Sequence, residues 1–173
     1  VGFVPGTSAF GDQYDIEQRI AHPAYSLHVE DGVQVAWHDV GALVLSEPAP
    51  QAPLPWLRTL PARLAGATVT LVGFGQGLAE PAGDKRAVAV QVDTVTDHGF
   101  WHYVSAADPG GGCEGDSGAP ALWTVGDVVS VAGLVSGGDA LCASGTYVDR
   151  LDVEADFIDG VLGLAAQDDA ADG

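Results

Sequence analysis

Methionine is absent from this chain of 173 residues, cysteine occurs only twice, and 6 basic residues stand against 24 acidic ones. Each scarcity excludes something. A formal net charge of −18 repels nucleic-acid phosphates and anionic membrane surfaces, so neither is expected as a partner. No apolar run reaches the roughly 18 residues that a membrane helix needs. With no Cys beyond Cys113 and Cys142, no cysteine-based zinc cluster can be assembled, and no metal or cofactor is expected. A secretory leader pattern is missing too, and Val1-Gly2-Phe3-Val4 opens in what reads as the middle of a strand, as though residues precede it.

What is present points to an all-β protein. Hydrophobic residues make up 47% of the chain, and 24 Gly and 10 Pro separate many short β-branched runs, the pattern of strands joined by turns. Residues 1–60 read as strands and loops followed by a linker. The buried run Val40-Gly41-Ala42-Leu43-Val44-Leu45 is followed by Glu47 to Pro61, whose five prolines suit neither a helix nor a central strand. Residues 61–151 then give strands at Ala67–Gly73, Ala87–Thr96, Trp101–Ser105, Ala119–Val125, Val128–Ser136 and Gly145–Leu151, a set that suits a small closed barrel. From 152 to 164 the period becomes helical through Val153, Phe157, Ile158, Val161, Leu162 and Leu164, with Asp152 placed to cap. Residues 165–173 are small and acidic and read as a disordered tail.

The chemistry concentrates at Cys113-Glu114-Gly115-Asp116-Ser117-Gly118-Ala119-Pro120, where a serine flanked by glycines sits in a tight turn. Such a turn presents a hydroxyl as a nucleophile, provided a base stands beside it. The alternative hydrolase elbow Gly-x-Ser-x-Gly fails because residue 119 is Ala. Cys113 and Cys142 lie 29 positions apart. They are either two buried thiols or a disulfide tying the serine loop to a later strand, a closure worth about 3–4 kcal/mol on the chain-entropy model.

Gly-Asp-Ser-Gly-Ala-Pro after a cysteine resembles the nucleophile loop of the chymotrypsin-like (trypsin-family) serine proteases, with Ala119 where the usual motif has Gly. Further segments follow in that family's order. His22-Pro23-Ala24-Tyr25 resembles its His-Pro-x-Tyr turn, and His38-Asp39-Val40-Gly41-Ala42-Leu43 resembles the strand that opens with the catalytic aspartate. Val72-Gly73-Phe74-Gly75 is similar to the Gly-Trp-Gly segment that begins the second barrel. Val135-Ser136-Gly137-Gly138, Cys142 and Gly145-Thr146-Tyr147 are similar to the walls of the specificity pocket. The closest flavour is the secreted actinobacterial type.

The resemblance implies a chymotrypsin-like double β-barrel, its first barrel incomplete, with a C-terminal α-helix. It also implies a secreted serine endopeptidase that works through an acyl-enzyme on Ser117. Asp39 becomes the carboxylate that orients the imidazole, and the N–H groups of Gly115 and Ser117 become the oxyanion hole. Asp116 orders the loop by pairing with an N-terminal amine or a substitute. Gly111 at the base, Gly112, Glu114, Ser136, Gly137, Gly138 and Gly145 line the substrate pocket, which favours a bulky apolar side chain before the cleaved bond. Asp108, Asp139 or Asp149, reaching in from nearby loops, would restore a basic preference.

No segment matches the family's histidine motif. His22 belongs to the His-Pro-x-Tyr turn, His38 adjoins Asp39 on a strand where neighbours face opposite ways, and His28 has no context. His98 and His102, four apart, read as packing residues on a hairpin rather than metal ligands. The base is therefore expected on an upstream segment of about fifty residues by analogy with the family's layout, present in a longer parent chain or as a separate chain. The other expected partner is a polypeptide substrate. The rival reading is a protease-fold binding module without chemistry.

Overall fold

A computed structural model of the chain describes residues 2–3, 12–30, 33–59, 63–77, 81–139 and 141–171. Val1, Val4, the end of the proline-rich linker at 60–61 and the last two residues, all included in the expectations above, lie outside them. The chain is all-β until its C-terminal helix. Three two-stranded sheets come from the first part: β1 (Gly2–Phe3) with β2 (Asp12–Gln13), β3 (Ile16–Ala21) with β6 (Gly41–Leu45), and β4 (Ser26–Glu30) with β5 (Val33–Trp37).

The second part forms one antiparallel sheet of seven strands: β7 (Thr68–Gly73), β8 (Arg86–Gln91), β9 (Thr94–Val95), β10 (Gly99–Tyr103), β11 (Pro120–Val125), β12 (Val128–Gly138) and β13 (Gly145–Arg150). Their order across the sheet is β8-β7-β11-β12-β13-β10-β9. The two edge strands are consecutive in the chain, separated only by Val92 and Asp93. Val92 N–H still bonds Ala67 beside β7, whereas Asp93 N–H already bonds Trp101 on β10. The sheet therefore curls into a half-barrel whose two edge strands follow one another along one bent stretch of chain, and β8 and β9 do not pair to close it as the expected barrel would.

Side-chain alternation then sorts two cores. Val69, Leu71, Val90, Val92, Phe100, Ala121, Ala132, Val135 and Val148 fill the inside of the curl. Trp101 and Tyr147, each next in sequence to an inward residue, point the other way and pack on Val35 of β5. That second cluster fixes the first part of the chain against the outer face of the curled sheet. Every residue of β13 is consequently buried, since it is covered on both faces.

Between the two parts the proline-rich linker runs beside β12, with Leu57 N–H bonded to Val131 O at 2.9 Å and Val131 N–H to Pro55 O at 2.8 Å. The helical region differs from expectation at both ends. A 3-10 turn covers Leu151–Glu154, and α1 spans Ala155–Ala171, past Leu164. Asp152 does not cap it, because its two oxygens take the Arg150 guanidinium at 2.9 and 2.6 Å. The helix packs on β6 and through Phe157 on His22, so it braces the first part of the chain rather than the curled sheet. No helix among the described residues is long and apolar enough to cross a membrane.

Candidate active site

The Cys113–Ala119 turn is built by local backbone geometry and held by four anchors. Gly115 and Gly118 adopt φ of 93° and 82°, a region closed to most side chains. Gly118 N–H bonds Val135 O at 2.7 Å, and Val135 N–H returns to Ala119 O at 2.8 Å, which fastens the turn to β12. Gly112 N–H bonds Thr146 Oγ1 at 2.8 Å, which fastens it to β13. The Cys113–Cys142 disulfide forms, so the cysteines are not free thiols, and the loop is tied to the segment before β13.

Asp116 supplies the fourth anchor. Its carboxylate accepts Gly75 N–H at 2.7 Å and Cys113 N–H at 3.0 Å. A Cβ on Gly75 would lie 2.5 Å from the Asp116 carboxyl carbon, and one on Gly73 would overlap Oδ1. The two glycines of Gly73-Phe74-Gly75 are thus explained by the approach of Asp116. Asp116 orders the loop, among the described residues, through these two backbone N–H groups, the kind of substitute for an amine that the resemblance allows. Among the described residues, the N–H groups of Gly115 and Ser117 take part in none of these bonds.

Ser117 is exposed and lines a cavity of about 430 Å³ together with Gly112, Glu114, Ser136, Gly137, Gly138 and Asp139. Two residues expected in the pocket lie elsewhere. Gly111 lines a neighbouring cavity of about 180 Å³ behind the serine loop, and Gly145 is buried at the start of β13 against His102 O and Gly138. Of the three aspartates considered for charge selectivity, only Asp139 borders the cavity. N–H groups of Ser144, Ala143 and Leu141 converge on its carboxylate and hold its pKa down at about 2. The cavity lining carries Glu114 and Asp139 and no cationic side chain, so it disfavours acidic groups.

Asp39 meets the wall of this cavity through Ser136. Ser136, on the cavity wall, donates its Oγ–H to Asp39 Oδ2 at 2.8 Å. Ser136 and Ser117 line one cavity, and Asp39, which does not line it, is joined to its wall through this bond. Asp39 N–H is fixed in turn by Asp149 Oδ2 at 2.5 Å. Asp149 is fully buried, and its second oxygen has no partner among the described residues.

All five histidines are engaged away from Ser117. His22 and His38 stack on each other and meet Glu154. His28 and His98 stack on opposite sides of Trp37's neighbourhood, at 3.5 and 4.0 Å between centroids. His102 is bonded to Gln91 O and Gly110 O, so the four-residue spacing of His98 and His102 does not make a ligand pair. Sequence reasoning considered Asp149 only for charge selectivity and missed its bond to the Asp39 N–H, and it missed the contacts of Glu154 with His22 and His38. The available signal was an acid within Tyr147-Val148-Asp149-Arg150, a strand with no polar face left for it.

Burial of Asp149, reinforced by the charges of Glu154 and Asp39 and only partly offset by the Asp39 N–H, raises its pKa from 3.8 to about 7. The folded protein then holds a proton that the unfolded chain has lost between those two values. Stability is full below about pH 4 and falls as pH rises towards 7, by on the order of 3 to 4 kcal/mol. Asp149→Asn keeps the acceptor for Asp39 and cannot ionise. Its melting temperature should match that of the parent at pH 4.5 and exceed it by several degrees at pH 8; equal melting at both pH values contradicts a neutral buried Asp149.

Comparison with protein-family models and with curated protein sequences returns no match for this chain.

Proposed function

We propose that this chain is the nucleophile-bearing part of a secreted serine endopeptidase with the double-barrel architecture, the curled seven-stranded sheet being its second barrel. The observation that carries the reading is the Ser136–Asp39 hydrogen bond beside the cavity that Ser117 lines. It links the Asp39 carboxylate to the wall of the cavity that the exposed Ser117 lines, which supports a reading in which both address one imidazole. Ser117 Oγ attacks the scissile carbonyl while its proton passes to the imidazole. Gly115 and Ser117 N–H groups receive the oxyanion, the amine leaves with that proton, and water then hydrolyses the acyl-enzyme. The imidazole is supplied by a histidine outside these 173 residues, since the chain's own five are committed elsewhere. The substrate is a polypeptide whose residue before the cleaved bond is apolar or basic, because the cavity carries two carboxylates and no cation.

One observation favours a second reading, a non-catalytic binding module: no histidine of the chain contacts Asp39 or Ser117 among the described residues. The two are separated by a fluorophosphonate probe applied to the protein as its natural source makes it. Labelling that maps to Ser117 and disappears in Ser117→Ala supports the protease. A natural protein that binds peptides yet takes no label supports the module and overturns the proposal.

A further inference from the structure

We propose that His22, His38 and Glu154 form a binding site for a transition-metal dication of the zinc class. His22 Nε2 lies 3.3 Å from Glu154 Oε2, and His38 Nδ1 lies 2.9 Å from Oε1. One donor atom from each of the three residues falls within 4.8 Å of the other two. Metal–ligand bonds of about 2.0–2.2 Å in a tetrahedron place donors roughly 3.3–3.6 Å apart, so a group of donors already within 4.8 Å of one another closes on a shared ion by small side-chain movements. Two imidazoles and one carboxylate with an open fourth position is a donor set that zinc favours.

The surroundings supply the reason for a cation. The Glu154 side chain is completely buried, with His22 and His38 only 13% and 24% exposed. Arg150 is turned away towards Asp152 and the Thr96 carbonyl. Next to His38, the ring of His98 carries a buried nitrogen, Nδ1, without a partner among the described residues. Buried charge of one sign with no fixed counter-charge is costly, and a dication removes that cost.

Loading requires identifiable changes. His22 Nδ1 accepts Ala24 N–H at 3.1 Å, so its neutral ring carries the proton on Nε2, facing Glu154. On loading, each neutral ring carries its proton on its other nitrogen, His22 on Nδ1 and His38 on Nε2, so that no net proton is lost, and the exposed Ala24 N–H turns to water. The rings stack within 10° of parallel, so one of them must rotate for both lone pairs to converge. His38 sits at φ 56° in the bend before Asp39, and the site closes the Pro23 turn and this bend onto the 3-10 turn that precedes α1.

The site does not depend on the protease reading. Isothermal titration of the untagged protein with ZnCl2 should show saturable binding of one ion per chain, together with a rise of several degrees in melting temperature. His22→Gln/His38→Gln should lose both. In the unaltered protein, zinc should also protect His22 and His38, but not His28, from carbethoxylation read by mass spectrometry. Absence of saturable binding, or binding that leaves both histidines as reactive as before, overturns the proposal; the second result places the ion on the acidic surface instead.

Discussion

Asp39→Asn should lower kcat of the complete, histidine-bearing enzyme by about 10⁴-fold at neutral pH while leaving the fold and KM nearly unchanged. The Asp39 side chain already has one oxygen committed, since Ser136 Oγ–H donates to Oδ2 at 2.8 Å. A carboxylate can satisfy Ser136 and still accept an imidazole N–H with its other oxygen. An amide cannot. With its oxygen kept by Ser136, it turns an NH₂ towards the imidazole, which stabilises the tautomer whose proton lies on the nitrogen that should receive one from Ser117.

Ser136→Ala acts on the same carboxylate more mildly. It removes a hydrogen bond to a charged group, worth about 1.5–3 kcal/mol, and frees Asp39 to rotate, so kcat should fall by roughly 10- to 100-fold by the same conversion. Because both changes act through one carboxylate, Asp39→Asn/Ser136→Ala should be scarcely worse than Asp39→Asn alone. Steady-state kinetics on one peptide substrate decides the matter. A loss under tenfold in Asp39→Asn removes Asp39 from the catalytic machinery, and with it the main support for the protease reading.

The serine turn is legible in the sequence because its requirements are local. Gly115 and Gly118 serve their own backbone angles, and Cys113 stands four residues before Ser117. The strands of the second part are legible for a similar reason, since they alternate against a core made by their neighbours, although the stretch read as one strand from Ala87 to Thr96 is two, β8 and β9. The regions that escaped depend on distant partners. Asp149 is buried by Asp39, 110 positions earlier, on the face of β13 that the first part of the chain covers. Glu154 reads as an acid suited to a helix start, whereas in the fold it receives a histidine 116 positions away. Asp152 illustrates competition at short range: a cap for the helix and a partner for Arg150 draw on the same carboxylate, and the buried guanidinium wins.

Asp116→Ala should cost the chain about 3–4 kcal/mol of stability, the sum of two deprived N–H donors at roughly 1–3 kcal/mol each. The donors are Gly75 and Cys113, one on the strand-end segment after β7 and one at the root of the serine loop. The disulfide still holds Cys113 to Cys142, so the variant should fold, with a lower urea midpoint and an unchanged slope. Gly75→Ala should produce a loss of similar size by a different route. The new methyl falls 2.5–2.6 Å from the carboxyl group, and Asp116 can retreat only by releasing both N–H groups. Once the carboxylate is gone the methyl has nothing to strike. The double variant should therefore be no less stable than Asp116→Ala alone, with a coupling of about 2–3 kcal/mol in the double-mutant cycle. Additive losses would mean that Gly75 is required for its own backbone and not for Asp116, and the serine loop would then need another anchor to hold the Gly115 and Ser117 N–H groups in place.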